Sequence, residues 1–250
     1  MKRGYQHNFS GIHNSMYDQE GRLKKAKTMV AIISDYLGTK ELGSLSLLDI
    51  GSSTGIIDNY LSEHFEKVVG TDIDEQAIVS AQNTFKKNNL EFLVDDAMNL
   101  RFPDNLFDVV VCAQIYEHMP DANQLMSEIY RVLKPGGICY FAATNRLDIK
   151  EHHYNLPFLS VIPRFLAHIY IRVAGKGKFY YEKHLSYWGL KKLVYQFEIH
   201  DYTKKVIENP TLFHVGYLLK EGSIKAKIAK LVVNHAYWLS PGYIWLLRKV

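Results

Sequence analysis

Cysteine is scarce: Cys112 and Cys139 are the only two in 250 residues. Each sits inside an apolar segment, which excludes a disulfide framework and suits reduced thiols in a core. No apolar run follows the basic N-terminus MKRGYQHNFSGIHNS, so it reads neither as a signal peptide nor as a membrane anchor. The cytoplasm is the expected location. Dense basic runs are missing too; a net charge of +4 and a pI near 8.8 favour acidic surfaces weakly and do not describe a dedicated nucleic-acid binder. Internal repeats and low-complexity linkers are absent. From His152 to Tyr181 there is no Asp or Glu, while Arg164, Arg172, Lys176 and Lys178 punctuate an apolar run.

What is present is enough for one sizeable core. Hydrophobic residues make up 47% and charged residues 22%, and a single elaborated domain is expected over 1–250. Residues 1–20 are polar and glycine-marked and read as a flexible arm. Leu23, Ala26, Met29, Ile33 and Leu37 recur at helical spacing, with Gly38 as a stop. Apolar runs then alternate with helical patterns. Strands are predicted at 45–50, 67–71, 91–94, 107–113 and 137–143, with helices at 54–64, 75–87 and 121–133. SLLDI and FDVVVCA are apolar almost throughout, as buried parallel strands are. This is the pattern of a doubly wound α/β sheet over a core at 21–145. Beyond it come an aromatic stretch at 146–185, helices in SYWGLKKLVYQF and IKAKIAKLVVNHAYWL, and strands at 198–206 and 243–249. In the last helix Ile224, Ile228 and Leu231 share one face.

The stretch LLDIGSSTGII runs from a strand through a glycine-marked turn into a helix. In a doubly wound sheet ligands sit at the carboxyl ends of the strands, where the strand order reverses. Glycines there let backbone amides approach a ligand. Asp72 ends the next strand 21 residues beyond Gly51, close to the spacing of a ribose-binding acid, so a nucleoside ligand is expected. The dinucleotide fingerprint G-x-G-x-x-G is incomplete, with only Gly51 and Gly55 in place, which disfavours a pyrophosphate.

Four segments in order, LLDIGSSTGIIDNYL, VVGTDIDEQAI, FLVDDAMNLRFPDNLFDVVVCAQIYEHM and IYRVLKPGGICYFAATNR, resemble the class I S-adenosylmethionine-dependent methyltransferases. The resemblance is greatest to the group that includes ubiquinone-type and small-molecule enzymes, and it covers about residues 20–145. It implies a Rossmann-like, seven-stranded, mostly parallel sheet whose last strand, in LSPGYIWLLRK, is antiparallel. It also implies S-adenosylmethionine as cofactor. Asp49 and the loop Gly51, Ser52, Ser53 and Gly55 would surround the amino-acid part, and Asp72 would hold the ribose hydroxyls. Ile73 would pack on the adenine, Asp96 would accept from its amino group, Ala97 would offer backbone there, and Gln114 would approach the methionine end. The family usually reads G-x-G-x-G, so Ser53 replaces a glycine; a Cβ is tolerable there only outside the glycine-only backbone region. Pro135, Gly136 and Gly137 are expected to form a tight turn into the fifth strand.

The reaction needs a nucleophile aligned with an activated methyl group and, for a hydroxyl acceptor, a base. His118 is the first candidate, because imidazole titrates near working pH, and Glu117 would orient it. Ubiquinone-type O-methyltransferases show E-x-x-E-H here, a pattern thought to bind a divalent cation. Gln114 takes the first acidic place in this chain, so no metal site is expected. An Asn/Asp-Pro-Pro-Tyr/Phe motif is missing, which disfavours nucleobase amines and leaves O-methylation of a small or amphiphilic acceptor. Residues 146–185 read as an α-helical lid, and they resemble an insertion in some bacterial members suspected of acting on lipid-linked or saccharide acceptors. At 156–178 the basic and apolar residues suit peripheral contact with an anionic membrane; the competing reading is a helical subdomain with its own small core. Of the adjacent His152 and His153, only one can face the pocket, and His153 is preferred as a catalytic residue. The alternatives are an NAD(P)-dependent oxidoreductase and a non-catalytic module that binds the cofactor.

Overall fold

The computed structural model describes residues 4, 6–39 and 41–250; of the predicted arm, residues 1–3 and 5 lie outside the described residues. A short helix α1 (Phe9–Ile12) and a 3₁₀ turn at Asn14–Tyr17 precede α2 (Gln19–Leu37), so the segment before Glu20 carries elements its polar composition did not suggest. Asp18 caps α2 by accepting from the Gly21 N–H, and Gly38 ends it in the left-handed region at φ 68°.

The alternating section follows in order: β1 (Ser46–Ile50), α3 (Ile56–Leu61), β2 (Lys67–Asp72), α4 (Glu75–Thr84), β3 (Leu90–Val94), β4 (Phe107–Ala113), α5 (Ala122–Val132) and β5 (Leu133–Thr144). The strand β1 pairs in parallel with both β2 and β4, which makes its carboxyl end the point where strand order reverses. Odd and even positions feed two cores: Leu48, Ile50, Val110 and Cys112 pack toward α5, while Leu47, Val68, Val109 and Val111 pack toward α2. Cys112 and Cys139 are both buried free thiols.

Three boundaries differ from the sequence pattern for physical reasons. The helix α3 starts at Ile56 rather than 54, because Gly55 is left-handed at φ 74° and cannot be a helical residue. Pro135, Gly136 and Gly137 do not form a turn ahead of the fifth strand; β5 begins at Leu133, and they are an irregularity within it, between the pairings Phe107–Leu133 and Val109–Ile138. Gly136 donates its N–H to the Lys249 carbonyl and Gly137 accepts from the Lys249 N–H, tying this step to the C-terminal strand. The third concerns residues 198–206.

After β5 the chain makes a small antiparallel pair, β6 (Lys150–Glu151) and β7 (Leu156–Pro157), then α6 (Arg164–Val173). Leu156, Leu159, Ala167, Ile171 and Tyr180 form a separate core, so this insertion is a subdomain with its own packing. It returns to the sheet where Arg146 donates its N–H to the Leu185 carbonyl. Then come α7 (Tyr187–Leu193), β8 (Glu198–Asp201), α8 (Thr203–Glu208), α9 (Ile224–His235) and β9 (Gly242–Arg248). The predicted strand at 198–206 is cut short because the Asp201 carboxylate accepts the Thr203 N–H and starts α8. The main sheet runs β3-β2-β1-β4-β5-β9-β8, with β9 antiparallel to both neighbours. No helix of the described residues is long and apolar enough to cross a membrane. The apolar face of α9 points outward: Ile224, Ile228 and Leu231 are exposed, and Ala226 and Val233 are buried instead.

Candidate active site

The loop between β1 and α3 lies at the reversal point. Gly51, Ser53 and Gly55 all have positive φ, at 81°, 52° and 74°. A Cβ on Gly51 would stand 2.1 Å from Ile115 Cδ1, and one on Gly55 2.5 Å from the Phe92 ring, so each glycine also admits a neighbouring side chain. Ser53 takes the left-handed region that a few non-glycine residues tolerate. Its N–H donates to Asp72 Oδ2 and the Asp74 N–H to Asp72 Oδ1, both at 2.9 Å. These bonds aim the carboxylate and leave each oxygen a second lone pair for a ligand hydroxyl. Burial pushes Asp72 above the usual carboxylate range, against the pull of those amides. The hydroxyls of Ser52 and Ser53 are buried without partners among the described residues.

Asp49 lies beneath this loop, 4% exposed. Burial and the neighbouring Asp58 hold its carboxyl well above the ordinary range, and burial raises Asp58 to about 7. Arg22 from α2, itself buried, acts electrostatically on Asp49, Asp58 and Asp72 and donates through Nη2 to the Ser52 carbonyl at 3.3 Å. The N-terminal segment is pinned to the same loop. Thr54 Oγ1 donates to the Met16 carbonyl at 2.6 Å, and Ser10 donates through N–H and Oγ to Asp74 Oδ2 at 2.9 and 2.7 Å. Ile73 is half-buried after β2; Asp96 accepts the Met98 N–H at 2.7 Å, and Ala97 packs on the core beside it.

The loop after β4 opens with Gln114 at φ 61°, whose Oε1 accepts from Thr144 Oγ1 at 2.6 Å. Tyr116 donates its hydroxyl to the Thr144 carbonyl and accepts the Leu185 N–H, fastening the insertion to this loop. Glu117, His118 and His153 converge, with donor atoms within 4.8 Å of one another. Glu117 is fully buried, which raises its pKa. His118 Nδ1 stands 2.8 Å from Gln6 Oε1; the amide oxygen only accepts, so Nδ1 is the donor of this bond. The His118 and His153 rings meet edge-on, 4.8 Å between centroids.

His153 is turned inward, while His152 is 68% exposed and stands 2.9 Å from Asp148. Burial works to lower the His153 pKa, but the hydrogen bond to Glu151 and the charges of Glu182, Glu151 and Glu117 together raise the value overall. Glu151, His184 and Glu182, all buried, join the same cluster, and His13 adds a ring 6.2 Å from His153. His184, Glu182, Arg22 and Asp58 carry no local sequence signal that marks them for this site. His184 is 33 residues from Glu151, and only closure of the insertion makes them neighbours. A separate cavity of about 300 Å³ is lined by Met119, Asp121, Lys183, Leu185 and Lys192, and its walls include none of the glycine-loop residues.

The chain is similar to known methyltransferases. Residues 48–141 match a family described as "Methyltransferase domain". A demethylmenaquinone methyltransferase of Lactococcus lactis is 36% identical over 140 residues, 53% of this chain and 55% of that protein. A ubiquinone biosynthesis O-methyltransferase of Coxiella burnetii is 25% identical over 151 residues, 59% of this chain and 64% of that protein. The chain thus spans little more than half to under two thirds of these relatives. Among solved structures, an S-adenosylmethionine-dependent methyltransferase from Methanosarcina mazei superposes with a TM-score of 0.54 at 20% identity, covering 83% of this chain and 93% of that one. That likeness concerns the fold.

Proposed function

We propose that this chain, which carries a methyltransferase domain of the S-adenosylmethionine-dependent class across residues 48–141, methylates a hydroxyl of a small amphiphilic acceptor. The observation that carries the reading is the loop at the strand reversal: a left-handed Gly51–Ser53–Gly55 turn, two buried serine hydroxyls without partners, and an Asp72 carboxylate aimed by two amides. Those groups fit an amino-acid moiety on one side and a ribose on the other. When bound, S-adenosylmethionine supplies a methyl group on a positively charged sulfonium. Ser52 and Ser53 would offer hydroxyls to its amino-acid end, Asp72 would accept from its ribose, and Asp96 and Ala97 would border its base. Arg22 keeps the buried Asp49 and Asp58 partly neutralised behind the loop.

On the acceptor side, His118 would take the proton of the acceptor hydroxyl. Glu117 and His153 hold the imidazole in place, and the subdomain at 146–185 excludes water above it. The names of the two relatives, one for demethylmenaquinone and one for ubiquinone biosynthesis, support an acceptor with a polar ring and an apolar tail. The exposed stripe Phe165, Ile169 and Val173 on α6, flanked by Arg164 and Arg172, supports delivery of such an acceptor at an anionic membrane surface.

Calorimetry tests the cofactor: S-adenosylhomocysteine binds and NAD does not, and the reverse result rejects the reading in favour of an oxidoreductase. Radiolabelled transfer to organic-soluble extract tests the acceptor. His118→Asn lowers turnover about 100-fold or more with cofactor affinity unchanged; full turnover across pH removes His118 as the base.

A further inference from the structure

The insertion contributes a second set of ligating atoms beside the candidate base. Glu151 Oε1 stands 2.6 Å from His153 Nδ1 and 3.3 Å from His184 Nε2, and the three ligand atoms lie within 4.8 Å of one another. Ligands 2.0–2.1 Å from a tetrahedral zinc ion are about 3.3 Å apart, so the Glu151–His184 separation already fits and the shorter His153 contact must open for an ion to enter. Glu151 and His184 are buried, with side chains 1% and 2% exposed. The other Glu151 oxygen accepts the Tyr154 N–H at 2.8 Å, which fixes the orientation of the carboxylate as outer contacts do in metal sites. His184 Nδ1 is buried without a partner among the described residues, as is Glu182 Oε2. The polar groups here are not reconciled by one another.

We propose that Glu151, His153 and His184 bind one divalent first-row transition-metal ion. Two imidazoles and one carboxylate suit zinc or its neighbours in the series better than magnesium or calcium, which prefer all-oxygen shells. Three protein ligands leave the fourth tetrahedral position for water or an oxygen of the acceptor. The site joins β6, near the start of the insertion, to His184, one residue before its return at Leu185, so the ion clamps the subdomain closed beside His118. This placement does not depend on methyl transfer and differs from the strand-β4 loop pattern, because all three of its ligands come from the insertion.

The test uses the full chain stripped with chelator and titrated with Zn²⁺ by calorimetry, with Co²⁺ as a spectroscopic probe. One equivalent of Zn²⁺ should bind, and Co²⁺ should give the visible absorption of a tetrahedral site. Glu151→Gln and His184→Ala should each weaken Zn²⁺ by more than about 100-fold, beyond the loss expected for an outer contact. His152→Ala, outside the triad, should leave it unchanged. Zn²⁺ should also slow amide exchange across 150–185. Absence of stoichiometric binding by the unmutated chain overturns the proposal, and so does binding that survives both triad variants but is lost in Glu117→Gln, which assigns the ion to the loop after β4. S-adenosylhomocysteine titrated into the same stripped protein reports on the methyltransferase reading separately, so the two fail independently.

Discussion

Ser53 holds a left-handed backbone at φ 52° in a turn whose other bends belong to Gly51 and Gly55. For a residue with a Cβ that region costs roughly 1–2 kcal/mol, partly offset by the extra freedom a glycine loses on folding. Ser53→Gly should therefore stabilise the fold by about 0.5–1 kcal/mol in urea titrations. It should also weaken S-adenosylhomocysteine about fivefold, since a net hydrogen bond is worth about 1 kcal/mol; equal affinity would show that the hydroxyl is merely tolerated. Behind the loop, burial raises Asp58 from 3.8 in the unfolded chain to about 7. The folded state then binds a proton that the unfolded state releases across this window. The stability that this group contributes accordingly falls as pH rises from about 4 to about 7 and is lost above it. Between pH 5 and pH 8 the loss should be about 1–3 kcal/mol. Asp58→Asn should flatten that slope; an unchanged slope in the variant would show that Asp58 does not carry it.

Among the elements, α6 is the one whose two faces part company. Ala167 and Ile171 close the small core of the insertion, while Phe165, Ile169 and Val173, spaced four apart, are 66%, 52% and 82% exposed. The inner face packs the subdomain, and the outer one exposes apolar side chains beside Arg164 and Arg172, the surface on which the proposed membrane contact rests. The full chain should float with vesicles containing anionic phospholipid and not with zwitterionic vesicles, and Phe165→Ser with Ile169→Ser should abolish flotation. Failure of the unmutated chain to float removes the membrane reading without touching the fold. The helix α9 shows why a periodic pattern alone misleads. Its apolar stripe was legible at 224, 228 and 231, yet periodicity states only that the residues share a face; the face that carries Ala226 and Val233 is the one buried, with α8 as the helix packed on α9.

For the whole molecule, the sheet is completed by its last strand. The strand β9 inserts between β5 and β8, and Trp245 at its centre is fully buried against Phe141, Tyr187 and Tyr243. Trp245→Ala should cost about 3–5 kcal/mol of unfolding free energy, measured by denaturant titration, because a large aromatic is removed where the sheet cannot collapse around the space. A loss under 1 kcal/mol would mean that this strand is not integral to the core.

Much of the alternating core was legible because its signals are local. A buried parallel strand is an apolar run, a helix cap is an Asp or Ser three residues from its amide, and a strand-to-helix ligand turn needs glycines within five residues. The sequence by itself therefore determined β1 to β5, the loop Gly51–Gly55, Asp72 at the end of β2 and His118 after β4. It also showed that one of His152 and His153 must turn away, since adjacent side chains diverge. Only the tertiary structure decided that His153 is the inward one, that Arg22 lies buried behind the glycine loop, and that His184 meets Glu151 across 33 residues. Such meetings follow from where the insertion and the N-terminal segment fold back on the sheet. That return is set by the summed packing of distant apolar residues, and it leaves no mark in the local spacing of the polar groups it brings together.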